Sequence, residues 1–141
     1  MLLAERHPQA HLAPWPGAPE RAKWLETMLF LANTVSPAMR DWFYADKDGD
    51  PAGAEAVRAL ARARIEGAWD HLDAQLTGNE AYLFGDRPGA ADFLAAMLMR
   101  WSRNMPKPAN QWPALAAYVG RMADLPSFHE LCEREGIAPW P

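Results

Sequence analysis

The sequence of 141 residues has a single cysteine and no excess of basic residues. Because Cys132 is alone, a disulfide framework and a cluster of thiolate metal ligands are both excluded. The formal net charge is −4, whereas a nucleic-acid-binding domain carries a surplus of lysine and arginine. The sequence therefore predicts no nucleic-acid partner, and its sparse cysteine suits the reducing cytoplasm.

Long apolar runs are also missing. The most apolar stretch, residues 88–99, is far shorter than the roughly 20 residues that a membrane-spanning helix requires. The first residues do not form a signal peptide either, because the charged side chains of Glu5 and Arg6 interrupt them at once. We therefore expect a cytoplasmic protein that has no membrane partner.

Apolar side chains make up half of the sequence and recur at the spacing of a helix. Two long amphipathic segments, residues 19–44 and 51–76, show this period, and shorter ones begin at Trp112 and near Phe128. Prolines stand at the starts of several segments, where a helix tolerates them. The pattern predicts an all-α fold, a bundle of about five helices.

A proline interrupts the first long segment. Pro37 has no N–H to donate toward Asn33, so we expect a kink near residues 33–36. Beside the kink lie three polar side chains, those of Asn33, Ser36 and Arg40. We predict that these three contribute to a weak binding site for an apolar substrate.

Residues 82–101 are the predicted centre of the domain. Between residues 88 and 99 only Asp92 is polar, so a helix here is apolar on every face and belongs inside a bundle. Gly89 falls at the N-cap and Asp92 at N3, where its carboxylate can accept the Gly89 N–H. We interpret both as capping residues that serve folding, not catalysis.

Three groupings that resemble functional sites are rejected. The acidic turn at residues 46–50 lacks the glycine and glutamate that a calcium loop needs at its sixth and twelfth positions. Cys132 and His129 share one short helix, but no third group is placed to orient the imidazole. His7 and His11 lie far along the sequence from other potential ligands. We therefore predict no catalytic residue and no metal site.

The segment YLFGDRPGAADFLAAMLMRW, residues 82–101, resembles the capping-box segment of the glutathione S-transferase C-terminal domain. In that family a threonine or serine precedes a buried aspartate by three residues, at the start of an apolar central helix. Asp92 matches the aspartate, and Gly89 departs from the threonine or serine. AERHPQAHLAPWPGAPERAKWL resembles the family's linker, and WPALAAYVGRMADLPSFHELCEREG resembles its closing helices.

The resemblance implies a proline-rich N-terminal arm at residues 1–18 and a helical domain at residues 19–141. It also implies that the thioredoxin-like half, which binds glutathione and supplies the catalytic side chain, is absent. The chain would then be the hydrophobic-substrate half of a glutathione S-transferase-like protein. It would hold no cofactor, conjugate no glutathione alone, and depend on a thioredoxin-like domain as a possible partner. Whether it has any enzymatic activity is left open.

Two alternatives follow from the same resemblance. Helical domains of this type also serve as stand-alone protein–protein interaction modules, and a pocket beside the kink suits a small hydrophobic ligand. Without a thioredoxin-like partner, an apolar face would be exposed. We expect a homodimer to bury this face, because the two tails bearing Trp15 and Trp140 cover little area.

Overall fold

The computed structural model describes residues 2–48, 50–78, 81–138 and 140. Within these residues the chain forms helices and turns and no strand, which confirms the all-α prediction. The α-helices are α1 (Leu2–Arg6), α2 (Arg21–Phe30), α3 (Ser36–Tyr44), α4 (Ala54–Leu76), α5 (Ala90–Trp101), α6 (Pro113–Ala123) and α7 (Pro126–Glu135). No helix in these ranges has the length and apolar character needed to cross a membrane.

The predicted kinked helix consists of α2 and α3, joined by a π-helical turn at Leu31–Val35. The Ser36 N–H donates to the Leu31 carbonyl five residues back, which is the hydrogen bond of a π-helix. Pro37 follows in the first turn of α3, where it needs no intrahelical donor. The proline is therefore accommodated by a π turn, and α2–α3 remains one continuous helix.

α4 is the longest helix, and a short 3₁₀ turn capped by Asp50 leads into it. Asp50 accepts the Ala52 N–H at 3.0 Å, at the beginning of the 3₁₀ turn Pro51–Gly53 that leads into α4. α4 packs against α3 on one side and α6 on the other. Its core-facing side chains are Ala61, Ile65, Ala68, Trp69, Leu72 and Leu76.

α5 lies beside α2, the π turn and α3, and most of its side chains are in the core. Ala95, Leu98 and Met99 are at most 1% exposed. The expectation that every face of this helix is buried is nevertheless wrong. Phe93 is 41% exposed and Met97 is 40% exposed, because they lie on the side of α5 that the packed helices leave uncovered.

The two tail tryptophans behave differently. Trp140 is 8% exposed and its ring lies 6.4 Å from that of Phe128. The neighbouring Ala138 carbonyl accepts a hydrogen bond from Arg100 at the end of α5. Trp15, in contrast, is 67% exposed. The C-terminal tryptophan therefore covers part of the domain and the N-terminal one does not, while the prolines at 139 and 141 lie outside the described residues.

Candidate functional site

The three polar side chains predicted beside the kink lie along the outer side of the α2–α3 helix. Asn33 and Arg40 are exposed and Ser36 is half-buried. Arg40 forms an ion pair with Asp48, and its guanidinium lies 5.4 Å from the centre of the Tyr44 ring. We call Asn33, Ser36 and Arg40 the polar strip. None of them lines the four cavities described in this chain, so their role as a binding site stays a prediction.

A row of apolar side chains on α5 is the feature that the sequence did not reveal. Phe93, Met97 and Trp101 are 41, 40 and 39% exposed, and their spacing of four residues places them on one side of the helix. We call these three residues the α5 row. α5 packs beside the π turn and α3, so the row and the polar strip belong to neighbouring helices. An all-apolar sequence has no polar face to indicate which side is open.

Asp92 is buried at the start of α5, where its carboxylate accepts three hydrogen bonds. One oxygen accepts the Gly89 N–H at 2.8 Å. The other accepts the Leu83 N–H at 2.9 Å and the Tyr118 hydroxyl at 3.0 Å. The donors come from the N-cap of α5, the turn before it, and α6. The carboxylate therefore joins three parts of the fold.

Burial raises the pKa values of both Asp92 and Tyr118, which are hydrogen-bonded to each other. Removal from water raises the pKa of the Asp92 carboxyl above its ordinary value, and the hydrogen bonds from Leu83, Gly89 and Tyr118 oppose that rise only in part. Burial, and then the negative charge of Asp92, raises the pKa of the Tyr118 phenol well above its ordinary value. A phenol that holds its proton is a permanent hydrogen-bond donor, so the pair stabilises the fold.

The largest of the four cavities, about 560 Å³, lies between the N-terminal arm and the helical domain. Its walls include Trp24 of α2, Phe84 of the turn before α5, and Gly89. Residues of the arm close the opposite side. This cavity is separate from the polar strip. No sequence pattern indicates it, because it forms between segments that are far apart along the chain.

None of the three groupings rejected in the sequence analysis forms a site among the described residues. Asp46 pairs with Arg58, and Asp48 pairs with Arg40, so the acidic turn is bound to neighbouring helices. Gly49 of that turn lies outside the described residues. Cys132 is half-buried on α7. Among the residues that the structure describes, no group of three or more potential ligands could hold a metal ion.

Comparison with known proteins gives one family. Residues 55–121 match the family model described as glutathione S-transferase, C-terminal domain. The chain is similar to the solved structure of BphK, a bacterial GST in a ternary complex, with 23% identity and a TM-score of 0.82 over 96% of this chain and 64% of that one. No curated protein matches the chain significantly.

Two further structures extend the comparison. A sphingomonad glutathione S-transferase complexed with glutathione is 26% identical, with a TM-score of 0.80 over 97% of this chain and 65% of that one. A glutathione transferase from Methylococcus capsulatus is 24% identical, with a TM-score of 0.82 over 96% and 64%. The present chain thus spans less than two thirds of the length of these structures, and the match lies in the helical fold.

We predict that Asp92→Asn destabilises the chain by ~1–3 kcal/mol at neutral pH, because an amide cannot accept all three hydrogen bonds. The pKa of Asp92 is raised in the folded chain, so protonation of this carboxyl stabilises the folded state. That contribution to the free energy of unfolding is complete below the unfolded pKa of 3.8 and is lost as pH rises through the folded pKa. The difference in free energy of unfolding between the wild-type chain and Asp92→Asn should therefore grow as pH falls from about 7 to about 4. Urea unfolding of both chains measures it, and a constant difference would contradict the raised pKa.

Proposed function

We propose that the chain forms the hydrophobic-substrate side of a glutathione S-transferase-like protein, because residues 55–121 match that family's C-terminal domain and the fold resembles solved glutathione S-transferases. The α5 row is the observation that carries this proposal. It leaves three large apolar side chains about two-fifths exposed on a helix that is otherwise in the core. Contiguous exposed apolar side chains indicate a surface that binds a ligand or another protein surface.

The α5 row offers contact area without acid–base groups. The rings of Phe93 and Trp101 provide flat apolar faces, and the thioether of Met97 between them adapts to different shapes. The polar strip on the neighbouring helix would contact the polar end of a bound molecule, with Arg40 as its one charged group. The substrate class that fits is a flat apolar molecule with a polar or anionic substituent.

In this proposal glutathione and its activating side chain belong to a thioredoxin-like domain, as the family resemblance implies. A thiol becomes a nucleophile when nearby donors or positive charges lower its pKa. The α5 row contains no such donor apart from the indole N–H of Trp101. We place the protein in the cytoplasm, where glutathione is reduced and the lone Cys132 stays a thiol.

The first test is conjugation by the 141-residue chain alone. With glutathione and chlorodinitrobenzene we expect only the uncatalysed rate, because in this proposal the groups that bind glutathione and lower its thiol pKa belong to the thioredoxin-like domain. A full-length glutathione S-transferase assayed in parallel is the positive control. A rate that rises in proportion to the concentration of the chain would refute the division of roles proposed here.

The second test measures binding of an apolar fluorescent dye such as anilinonaphthalene sulfonate. We expect Trp101→Ser to weaken dye binding about tenfold, since losing a buried contact of this size costs about 1.5 kcal/mol or more. Arg40→Ala should weaken it less, without changing the melting temperature. Leu131→Ser is the matched control, because Leu131 is 46% exposed but lies on α7. Equal affinities for Trp101→Ser and Leu131→Ser would reject the α5 row as the site.

We further propose that the chain is a homodimer that pairs through the exposed side of α4. Leu60 is 55% exposed, and Ala56, Ala63 and Gly67 on the same side of the helix are exposed as well. Nothing lies within 4 Å of a Cβ added at Gly67, so a neighbouring helix can approach closely there. A symmetric pair uses the same face of both chains and so closes without further partners.

Sedimentation equilibrium across a dilution series tests this pairing. The wild-type chain should dissociate with dilution, and Leu60→Glu should be monomeric at all concentrations because two carboxylates would be buried in the interface. Leu131→Glu introduces the same charge on α7 and should leave the dimer intact. A monomeric wild-type chain at high concentration, or equal effects of the two substitutions, would exclude a dimer through α4.

A further inference from the structure

The N-terminal arm, residues 2–18, supplies a hydrogen bond that α5 cannot obtain from its own N-cap. Gly89 occupies the N-cap and has no side-chain oxygen for the N–H groups of the first turn. The carbonyl of Leu12 instead accepts the N–H of Ala90, the first residue of α5, at 2.8 Å. A carbonyl from a distant segment thus completes the cap of the central helix.

The close approach of the arm accounts for glycine at this position. A Cβ added at Gly89 would lie 3.1 Å from the Leu12 oxygen and 3.6 Å from the Leu12 carbonyl carbon. The first of these distances is shorter than ordinary van der Waals contact, so the Leu12 carbonyl would have to shift by a few tenths of an ångström. The backbone itself does not require glycine, because the φ angle of Gly89 is −115°. Glycine therefore allows the close approach of the Leu12 carbonyl, which a larger residue would push slightly away.

The side chain of Arg21 binds the arm at two positions, one before Leu12 in the sequence and one after it. The guanidinium of Arg21 donates to the Pro14 carbonyl at 2.9 Å and forms an ion pair with Glu5. It also lies 4.9 Å from the centre of the Trp24 ring, and only 14% of the Arg21 side chain is exposed. Arg21 therefore fixes the arm where the Leu12 carbonyl meets α5.

Apolar burial, in contrast, contributes little to holding the arm. Leu2, Leu3 and Trp15 are 61, 71 and 67% exposed, and Ala4 is the arm residue in the buried set. The cavity of about 560 Å³ separates much of the arm from the helical domain. A segment with few buried apolar contacts opens at a low free energy, well below that of global unfolding.

We propose that residues 2–18 are a releasable strap whose docked state completes the cap of α5. Arg21 holds the strap and Gly89 leaves room for it. Release of the strap opens the cavity of about 560 Å³ that Trp24 lines. At the same time it removes the Leu12 carbonyl, which is the hydrogen-bond partner of the Ala90 N–H. The strap and the first turn of the central helix therefore change together while the rest of the core stays folded. This coupling does not depend on the function proposed for the α5 row.

Amide-resolved hydrogen exchange by NMR on the 141-residue chain tests the coupling. In Arg21→Gln we expect the Ala90 amide and the arm amides to exchange about tenfold faster, the effect of losing charge-assisted contacts. The amides of residues 95–99 should keep their wild-type rates. Arg134→Gln is the matched control, because Arg134 also pairs with a glutamate, Glu130, but both residues lie on α7.

A second variant separates release of the strap from loss of the helix. Gly89→Ser adds the Cβ that meets Leu12 and also supplies a hydroxyl that can cap the first turn of α5. We expect faster exchange throughout the arm, with the amides of Asp92 and Phe93 still protected because both donate to the carbonyl of residue 89. Gly120→Ser on α6 is its control, since nothing lies within 4 Å of a Cβ added there.

The proposal is overturned by any of three results. The Ala90 amide could keep its wild-type rate while the arm exchanges faster in Arg21→Gln, which would show that Leu12 is not part of the cap. Exchange in Arg21→Gln could instead rise equally at all amides of α5, which would show that the arm and the whole of α5 unfold together as one cooperative unit. Unchanged exchange of the arm in both Arg21→Gln and Gly89→Ser would show that neither residue controls docking.

Discussion

Asp92 carries a buried carboxylate at the start of the central helix, and three parts of the chain converge on it through hydrogen bonds. Burial alone would favour expelling such a group or neutralising it, and the raised pKa records that cost. The cost is offset because Leu83, Gly89 and Tyr118 all place donors on its two oxygens. One side chain thereby links α5, the turn before it and α6.

With its N-terminus held in this way, α5 can leave one side uncovered. The carboxylate ties the start of the helix to its neighbours. The small alanines let α2, the π turn and α3 approach its other sides. The uncovered side carries Phe93, Met97 and Trp101. A helix stabilised only by apolar contacts would tend to bury these side chains. A polar anchor inside the core is thus compatible with an apolar surface on the same helix.

Much of the fold could be predicted from the sequence because its signals are local. The period of apolar residues gave the long helices, Pro37 located the irregular turn, and the spacing of Gly89 and Asp92 located the start of α5. The open side of α5 could not be predicted, because an apolar stretch looks the same whichever face is covered. The contact between Leu12 and Ala90 joins segments distant in sequence, so no local pattern encodes it.

The π turn at Leu31–Val35 has a consequence for how this helix tolerates changes in length. One residue inserted into a regular α-helix rotates every later side chain by about 100° around the axis. A π turn absorbs the additional residue within a single wide loop of the helix, so the following faces keep their direction. A related chain one residue shorter between positions 31 and 35 would present the same α3 face to α4 through an uninterrupted α-helix. A one-residue insertion or deletion at this turn would therefore leave the packing of α3 on α4 unchanged, whereas the same change elsewhere in the helix would rotate that face away from α4.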